Sequence, residues 1–140
     1  MSASLLTSLL VTRANALNTS LGGSAVFKFY TGSAPANVGA AATGTLLVSC
    51  TANATAFGSV AGSGVLTASE DTASSGRVAR GTAVASGTIG YCRIETSGGT
   101  EVIQLNSIGT SSGDIVLPSL EITTGEALEV KSFIWSEDNV

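Results

Sequence analysis

The sequence contains one pattern that is typical of a hydrolase nucleophile, Gly-Thr-Ser-Ser-Gly at residues 109–113. A serine nucleophile needs a neighbouring general base, and the chain contains no histidine, the residue that most often takes this role. Lys28 and Lys131 are alternative bases in principle. Each alternates with apolar neighbours, as an outward-facing strand residue does. We therefore interpret the pattern around Ser111 as a Gly/Ser turn between strands and predict no catalytic residue.

Paired carboxylates are another route to catalysis, because glycoside hydrolysis needs two of them at a set separation. Glu70 and Asp71 form an adjacent pair in a turn-like stretch, and Glu121, Glu126 and Glu129 lie near the last predicted strand. Solvated charges at strand edges explain all five more simply. We therefore expect the protein not to be an enzyme.

The two cysteines, Cys50 and Cys92, each lie within an apolar run, where a free thiol behaves as a small buried hydrophobe. A disulfide between them is an alternative that their spacing leaves open. Two thiols without any histidine are too few for a metal site. Residues 62–64, Gly-Ser-Gly, lack the remainder of a nucleotide-binding signature. The sequence thus predicts neither a metal nor a cofactor.

The charged residues are few and scattered. Six basic residues against ten acidic ones give a net charge of -4, and Arg77 with Arg80 is the densest basic pair, so no surface for tracking phosphates is visible. The apolar run at residues 5–11 is too short to span a bilayer and has no basic residue before it. We expect a soluble chain that binds neither nucleic acid nor a membrane.

Leucines recur at helical spacing near the amino terminus, which predicts a helix over residues 4–21. Gly22 and Gly23 follow the last leucine and end the helix, while Ser2 or Ser4 is a candidate cap at its start. We therefore assign residues 1–23 to an amino-terminal helix or arm. Steps of three and four residues place Leu6, Leu9, Arg13, Leu17 and Leu21 on one stripe, and Leu10 lies beside it in the sequence.

From Ala25 onward the period changes to two, with Phe27 and Phe29 on one face of the first strand. The turn-forming residues 97–100, Ser-Gly-Gly-Thr, predict a hairpin. Residues 53–88 are harder to interpret and fit edge strands or long loops. Short strands separated by turns predict an all-β domain over 24–140, an antiparallel β-sandwich or barrel of jelly-roll or Ig-like type with one N-terminal α-helix. The further strands are predicted at 45–51, 89–94, 101–105, 115–117, 120–123 and 128–135.

The last predicted strand carries two aromatic residues on the face opposite Leu128, Val130 and Ile134. Either that face is covered or the aromatics meet water, and exposed aromatics often mark interfaces. Charged residues are only 11% of the chain and the mean hydropathy is +0.41, which indicates a surface buried by partners. The predicted partner interface consists of Leu6, Leu10, Leu17, Phe133 and Trp135.

Four segments and the leucine-rich helix together carry a family resemblance. The segments are Phe-Tyr-Thr-Gly-Ser-Ala-Pro at 29–35, Ala-Thr-Gly-Thr-Leu-Leu at 42–47, Tyr-Cys-Arg-Ile at 91–94 and Gly-Thr-Ser-Ser-Gly-Asp at 109–114. In this order the chain resembles small structural proteins encoded among the head and tail genes of tailed bacteriophages and prophages.

This resemblance implies a bacteriophage virion structural protein without enzymatic activity. The expected role is that of a capsid decoration or cement protein, which binds the major capsid protein and stabilises its lattice. Self-association as a homotrimer, a position on the capsid surface and assembly in the host cytoplasm are implied with it. The alternative is a tail or baseplate component with a structural or receptor-binding role.

Overall fold

The computed structural model describes residues 7–52, 57–60, 65–68 and 78–136. Within these ranges the chain forms one helix and thirteen short strands, which confirms the predicted all-β class. The helix is α1 (Thr7–Leu21), and the strands are β1 (Val26–Tyr30), β2 (Leu46–Ala52), β3 (Phe57–Val60), β4 (Val65–Ala68), β5 (Ala79–Thr82), β6 (Gly87–Thr88), β7 (Tyr91–Glu95), β8 (Glu101–Leu105), β9 (Ile108–Gly109), β10 (Ile115–Val116), β11 (Glu121–Ile122), β12 (Ala127–Val130) and β13 (Ser132–Ser136).

The strands are arranged in two main sheets. One has six strands in the order β12-β5-β2-β1-β7-β8, and the other has five in the order β3-β4-β13-β10-β9. β6 and β11 form a small antiparallel pair of their own. Both main sheets are open at their edges, so the fold is sandwich-like and not a closed barrel.

The core is formed by the alternating residues of the strands. In β1, Phe27 and Phe29 are fully buried while their neighbours are half-buried, as the two-residue period predicts. Phe27 contacts Phe133 of the five-stranded sheet edge to face, with ring centroids 5.6 Å apart and planes at 81°. This edge-to-face geometry is favourable for aromatic pairs. The contact of Phe27 with Phe133 joins the two sheets within one hydrophobic cluster.

The helix ends where the sequence predicts. Gly22 has a φ of +66°, and its N–H donates to the carbonyl of Asn18 at 3.1 Å. Leu21 is buried in the core and Leu17 packs against it, whereas Leu9 is 44% exposed. The carboxyl-terminal end of the predicted stripe therefore anchors α1. The caps proposed at Ser2 and Ser4 lie outside the described residues.

The predicted hairpin is confirmed. β7 and β8 pair antiparallel, and the N–H of Thr96 donates to the carbonyl of Thr100 at 2.9 Å. Gly99 has a φ of +92°, a conformation that this tight connection needs and that glycine adopts without steric penalty.

The last predicted strand, 128–135, is wrong as a single strand. It divides at Lys131 into β12, which pairs with β5 in the six-stranded sheet, and β13, which pairs with β4 and β10 in the other. The backbone N–H of Lys131 donates to the carbonyl oxygen of Val116 at 2.8 Å. The chain passes from one sheet to the other at this residue, so the alternation loses its phase and both Val130 and Phe133 are buried.

Residues 53–88 contribute both interior and edge strands. β5 lies inside the six-stranded sheet between β2 and β12, whereas β3 is an edge strand of the five-stranded sheet. The sequence analysis did not predict β5 as an interior strand, because its residues, Ala-Arg-Gly-Thr, have low apolar content.

Candidate functional site

A long connection, residues 31–45, joins β1 to β2 and is here called the strap. It lies over the outer face of β7, as its hydrogen bonds to Tyr91 and Arg93 show. All five residues of β7 are buried, although alternate residues of a strand point to opposite faces. The core therefore covers one face of β7 and the strap helps to cover the other.

Arg93 is the centre of the contact between the strap and the sheet. Its side chain is fully buried, and its Nη2 donates to the carbonyl of Ala40 at 2.6 Å. Its Nε donates to Oε1 of Gln104 at 3.0 Å, and Nε2 of Gln104 donates to the carbonyl of Pro35 at 2.7 Å. A buried cation is tolerated only where hydrogen bonds replace its water. These bonds hold the strap at two carbonyls.

A second attachment is made by Tyr91. Its hydroxyl donates to the carbonyl of Thr43 at 2.6 Å and accepts from the N–H of Thr43 at 2.9 Å. Its ring stacks on Tyr30, with centroids 5.1 Å apart and planes at 12°. Burial raises the pKa of Tyr30, and the positive charge of Lys28 acts in the opposite direction. The strap is thus fixed along its length by polar contacts to the sheet.

Lys28 lies beside this cluster and not in a catalytic arrangement with Ser111. Its Nζ is 2.7 Å from Oε2 of Glu95, a carboxylate that is almost completely buried. Lys28 belongs to the six-stranded sheet, whereas Ser111 lies in the loop between β9 and β10 of the other sheet. The ion pair of Lys28 and Glu95 stabilises the covered face of the sheet. Lys28 and Ser111 belong to different sheets.

A cleft of about 450 Å³ opens where the strap begins. Residues 32–36 line one part of it, residues 104–106 line another, and Gly90 completes the lining. A Cβ atom on Gly90 would overlap the carbonyl oxygen of Gly32, so glycine is required for the strap to approach this closely. None of the lining residues carries a charge.

The strap side of the cleft presents unpaired backbone donors. Within the described residues, the N–H groups of Gly32, Ser33, Ala34 and Ala36 donate to no other group of the protein. Three of these residues are exposed and Ala34 is half-buried. Backbone donors on a surface are satisfied by water or by a bound partner. The cleft can therefore bind by hydrogen bonding without any charged group.

The structure describes the burial of two of the five predicted interface residues, Leu17 and Phe133. Leu17 is half-buried against the core and Phe133 is completely buried. Phe133 therefore fills the core, and the expectation that it anchors a surface contact is wrong, because the break at Lys131 turns its side chain inward. Leu6 and the side chains of Leu10 and Trp135 lie outside the described residues. The large exposed hydrophobic residues found among those that are described are Leu9, Val84 and Ile134.

The Gly-Thr-Ser-Ser-Gly segment forms a turn between strands, as interpreted from the sequence. Ser111 is exposed, and the loop leads into strand β10, whereas a nucleophile elbow leads into a helix. The N–H of Asp114 donates to Oγ of Ser107 at 3.3 Å and closes the loop. Of the carboxylates considered above, Glu126 accepts a hydrogen bond from the N–H of Thr123 at 3.0 Å. Glu70 and Asp71 lie outside the described residues.

Both cysteines are free and buried, which confirms the simpler prediction. Cys50 of β2 and Cys92 of β7 pair with Phe27 and Phe29 of β1 from opposite sides. Two strand spacings, about 9.5 Å, and a two-residue offset along β1 separate them. This is beyond the reach of a disulfide. Burial raises the pKa of Cys50 to about 12 and that of Cys92 well above its usual value.

In the ranges that the structure describes, no group of three or more cysteine or carboxylate side chains is placed to hold a metal ion. No helix in those ranges has the length and apolar character needed to cross a membrane.

Sequence reasoning did not identify Arg93, Gln104 and the strap as a unit. The signal was present in the predicted hairpin, which places the two side chains on facing strands.

Comparisons of the chain with protein-family models, with curated proteins and with solved structures gave no match. The function is therefore inferred from the chemistry of the strap, the cleft and the surface.

Proposed function

We propose that this protein is a bacteriophage virion structural protein, a capsid decoration or cement protein that binds the major capsid protein and stabilises the lattice. The observation that carries the proposal is the rigid, uncharged strap and cleft surface, in which buried polar contacts hold a row of unpaired backbone donors. Such a surface suits recognition of another protein by shape and hydrogen bonding. The resemblance of four segments to phage structural proteins supplies the lattice as the partner.

The rest of the described surface supports a binding role. Val84 is 67% exposed and Ile134 is 45% exposed, and the strap is built mainly from small uncharged residues. Weak contacts of this kind become effective when the linked copies of a homotrimer bind neighbouring lattice sites together, because the later binding events are then intramolecular. A cement protein needs no stronger single contact.

The helix is the proposed element of self-association. Its carboxyl-terminal part, at Leu17 and Leu21, is anchored in the core, and Leu9 is exposed. In this proposal Leu10 of α1, together with Leu6 of the preceding residues, contacts a neighbouring copy in a homotrimer. The protein would act on the capsid surface of the virion and assemble there in the host cytoplasm.

Sedimentation with purified expanded capsids tests this function. We expect saturable binding with a stoichiometry set by the lattice, and a higher melting temperature of the decorated particles. The Arg93→Ala variant, which lacks the arginine contacts that hold the strap, is the control and should bind less. Failure to bind capsids would refute the proposal, and sedimentation with isolated tails instead would favour the alternative of a tail or baseplate component.

A further inference from the structure

We propose that the cleft between the strap and the end of β8 binds an extended, uncharged peptide segment of another protein, which adds to the edge of β8 as a strand. β8 is the last strand of the six-stranded sheet, and within the described residues only β7 pairs with it. No described strand pairs with its other edge. Strand addition to an open edge is a common mode of peptide recognition, in which the main chain provides the affinity.

The second wall of the cleft favours a peptide over other ligands. Residues 32–34 and 36, whose N–H groups have no partner in the described part of the chain, line one wall of the cleft, and residues 104–106 line another. An extended backbone offers carbonyl acceptors on both of its edges. One peptide can thus accept hydrogen bonds from the strap and pair with the edge of β8 at the same time. The cleft volume of about 450 Å³ lies within the usual range of ligand pockets.

The uncharged lining of the cleft determines which kind of peptide can bind. No lining residue is charged, and the strap wall consists of Gly, Ser, Ala and Pro. A charged side chain entering this cleft would lose water without gaining a partner. Natural sheets protect open edges with charged residues or proline. The one charged residue of β8 is Glu101, at the end away from the cleft, and residues 102–105, Val-Ile-Gln-Leu, contain neither a charge nor a proline. The edge is open to a partner strand with small, neutral residues.

The walls of the cleft are held in place before any ligand binds. Gln104 receives the Nε hydrogen bond of Arg93 and donates to the carbonyl of Pro35, so it connects the β8 wall to the strap wall. Fixing the walls in advance reduces the entropy that binding must overcome. In the proposed function this cleft is the contact for an extended segment of the capsid subunit, and in that respect the inference rests on the proposed function.

Nuclear magnetic resonance of the labelled full chain tests the cleft without any particle. The probe is the capped hexapeptide acetyl-Thr-Val-Thr-Val-Ala-Thr-amide, and the control probe has proline at its second and fourth positions, which removes two donors. We expect saturable shifts of the amide signals of residues 32–36 and 103–106 with the first probe only. Shifts confined to other residues, no shifts, or equal shifts with the proline probe would overturn the proposal.

Two variants sharpen the test. Ala36→Trp places a bulky side chain in the cleft and should weaken binding of the hexapeptide at least about tenfold, since several hydrogen bonds are lost. Ser97→Trp, at the exposed hairpin beyond the other end of β8, is the matched control and should bind within about twofold of the wild type. Ser33→Trp replaces Ala36→Trp if the latter does not fold. Unchanged binding by the cleft variant would overturn the proposal.

The two proposals fail separately. Hexapeptide binding without capsid binding would refute the capsid role and retain the cleft. Capsid binding that Ala36→Trp leaves unchanged would refute the cleft as the contact and retain the capsid role.

Discussion

Arg93 and Gln104 face each other across β7 and β8, and Nε of the arginine lies 3.0 Å from Oε1 of the glutamine. From this pair the hydrogen bonds continue to the strap, at the carbonyls of Ala40 and Pro35. One fully buried cation therefore organises the loop that forms a wall of the cleft.

Replacement of Arg93 by alanine tests this organisation. The change removes a fully buried side chain and the donors to Ala40 and Gln104, so the free energy of unfolding should fall by about 2–4 kcal/mol. Urea denaturation measures the loss. Arg80→Ala, at an exposed position on β5, is the control and should lower it by no more than about 1 kcal/mol. Equal losses in the two variants would show that the buried contacts do not hold the strap.

Adjacent residues of β13 distinguish a core position from a surface position. Phe133→Ala removes a fully buried ring and its edge-to-face contact with Phe27, which should destabilise the fold by about 3–5 kcal/mol. Ile134→Ala, at a side chain that is 45% exposed, should change stability by less than about 1.5 kcal/mol. Thermal and urea unfolding of both variants provide the comparison. A mild Phe133 variant would contradict its place between the sheets.

Gly90 tests the close approach of the strap. A Cβ atom there would overlap the carbonyl of Gly32, so Gly90→Ala should destabilise the protein by about 1–3 kcal/mol and alter the amide signals of residues 32–36. At Gly98 the nearest atom to an added Cβ is Oγ1 of Thr96 at 3.8 Å. Gly98→Ala should therefore be neutral within about 0.5 kcal/mol. A neutral Gly90 variant would place the strap farther from the sheet.

The cysteines give a prediction for alkaline pH. The pKa of Cys50 is about 12 in the folded chain, higher than in the unfolded chain, so its burial as a thiol stabilises the fold fully below the unfolded pKa, about 8.5. This contribution is lost as the pH rises through about 12. Cys92 and Tyr30, whose pKa values are also raised, act in the same direction. Stability measured by urea unfolding should decline above about pH 8.5.

Thiol labelling gives an independent measurement of the same burial. Dithionitrobenzoate should leave both cysteines unmodified in the folded protein and modify both in urea, because only the exposed thiolate reacts. Rapid labelling of the folded chain at neutral pH would contradict the position of the two thiols in the core.

The parts of the fold that were predictable depend on local chemistry. The alternation of Phe27 and Phe29, the helix end at Gly22 and the turn at Gly99 each follow from a few neighbouring residues. The burial of Cys50 and Cys92 follows from the apolar runs around them.

The parts that were not predictable depend on long-range contacts. Arg93 is charged, and its burial depends on a hydrogen bond to the carbonyl of Ala40, which is distant in the sequence. No local pattern shows that partner. The break at Lys131 depends on where β10 lies, since Val116 pairs with its backbone. The candidate site joins the strap to the end of β8, so local periodicity could supply its strands and not its shape.

The passage of the chain at Lys131 has a mechanical consequence. Because this single residue joins β12 to β13, a pull applied to the carboxyl-terminal end loads both layers of the protein in succession. The first layer resists through the antiparallel pairing of β13 with β4 and β10, and the second through that of β12 with β5. Force at this end is therefore met by one layer after the other, a useful property in any protein that must stay attached under tension.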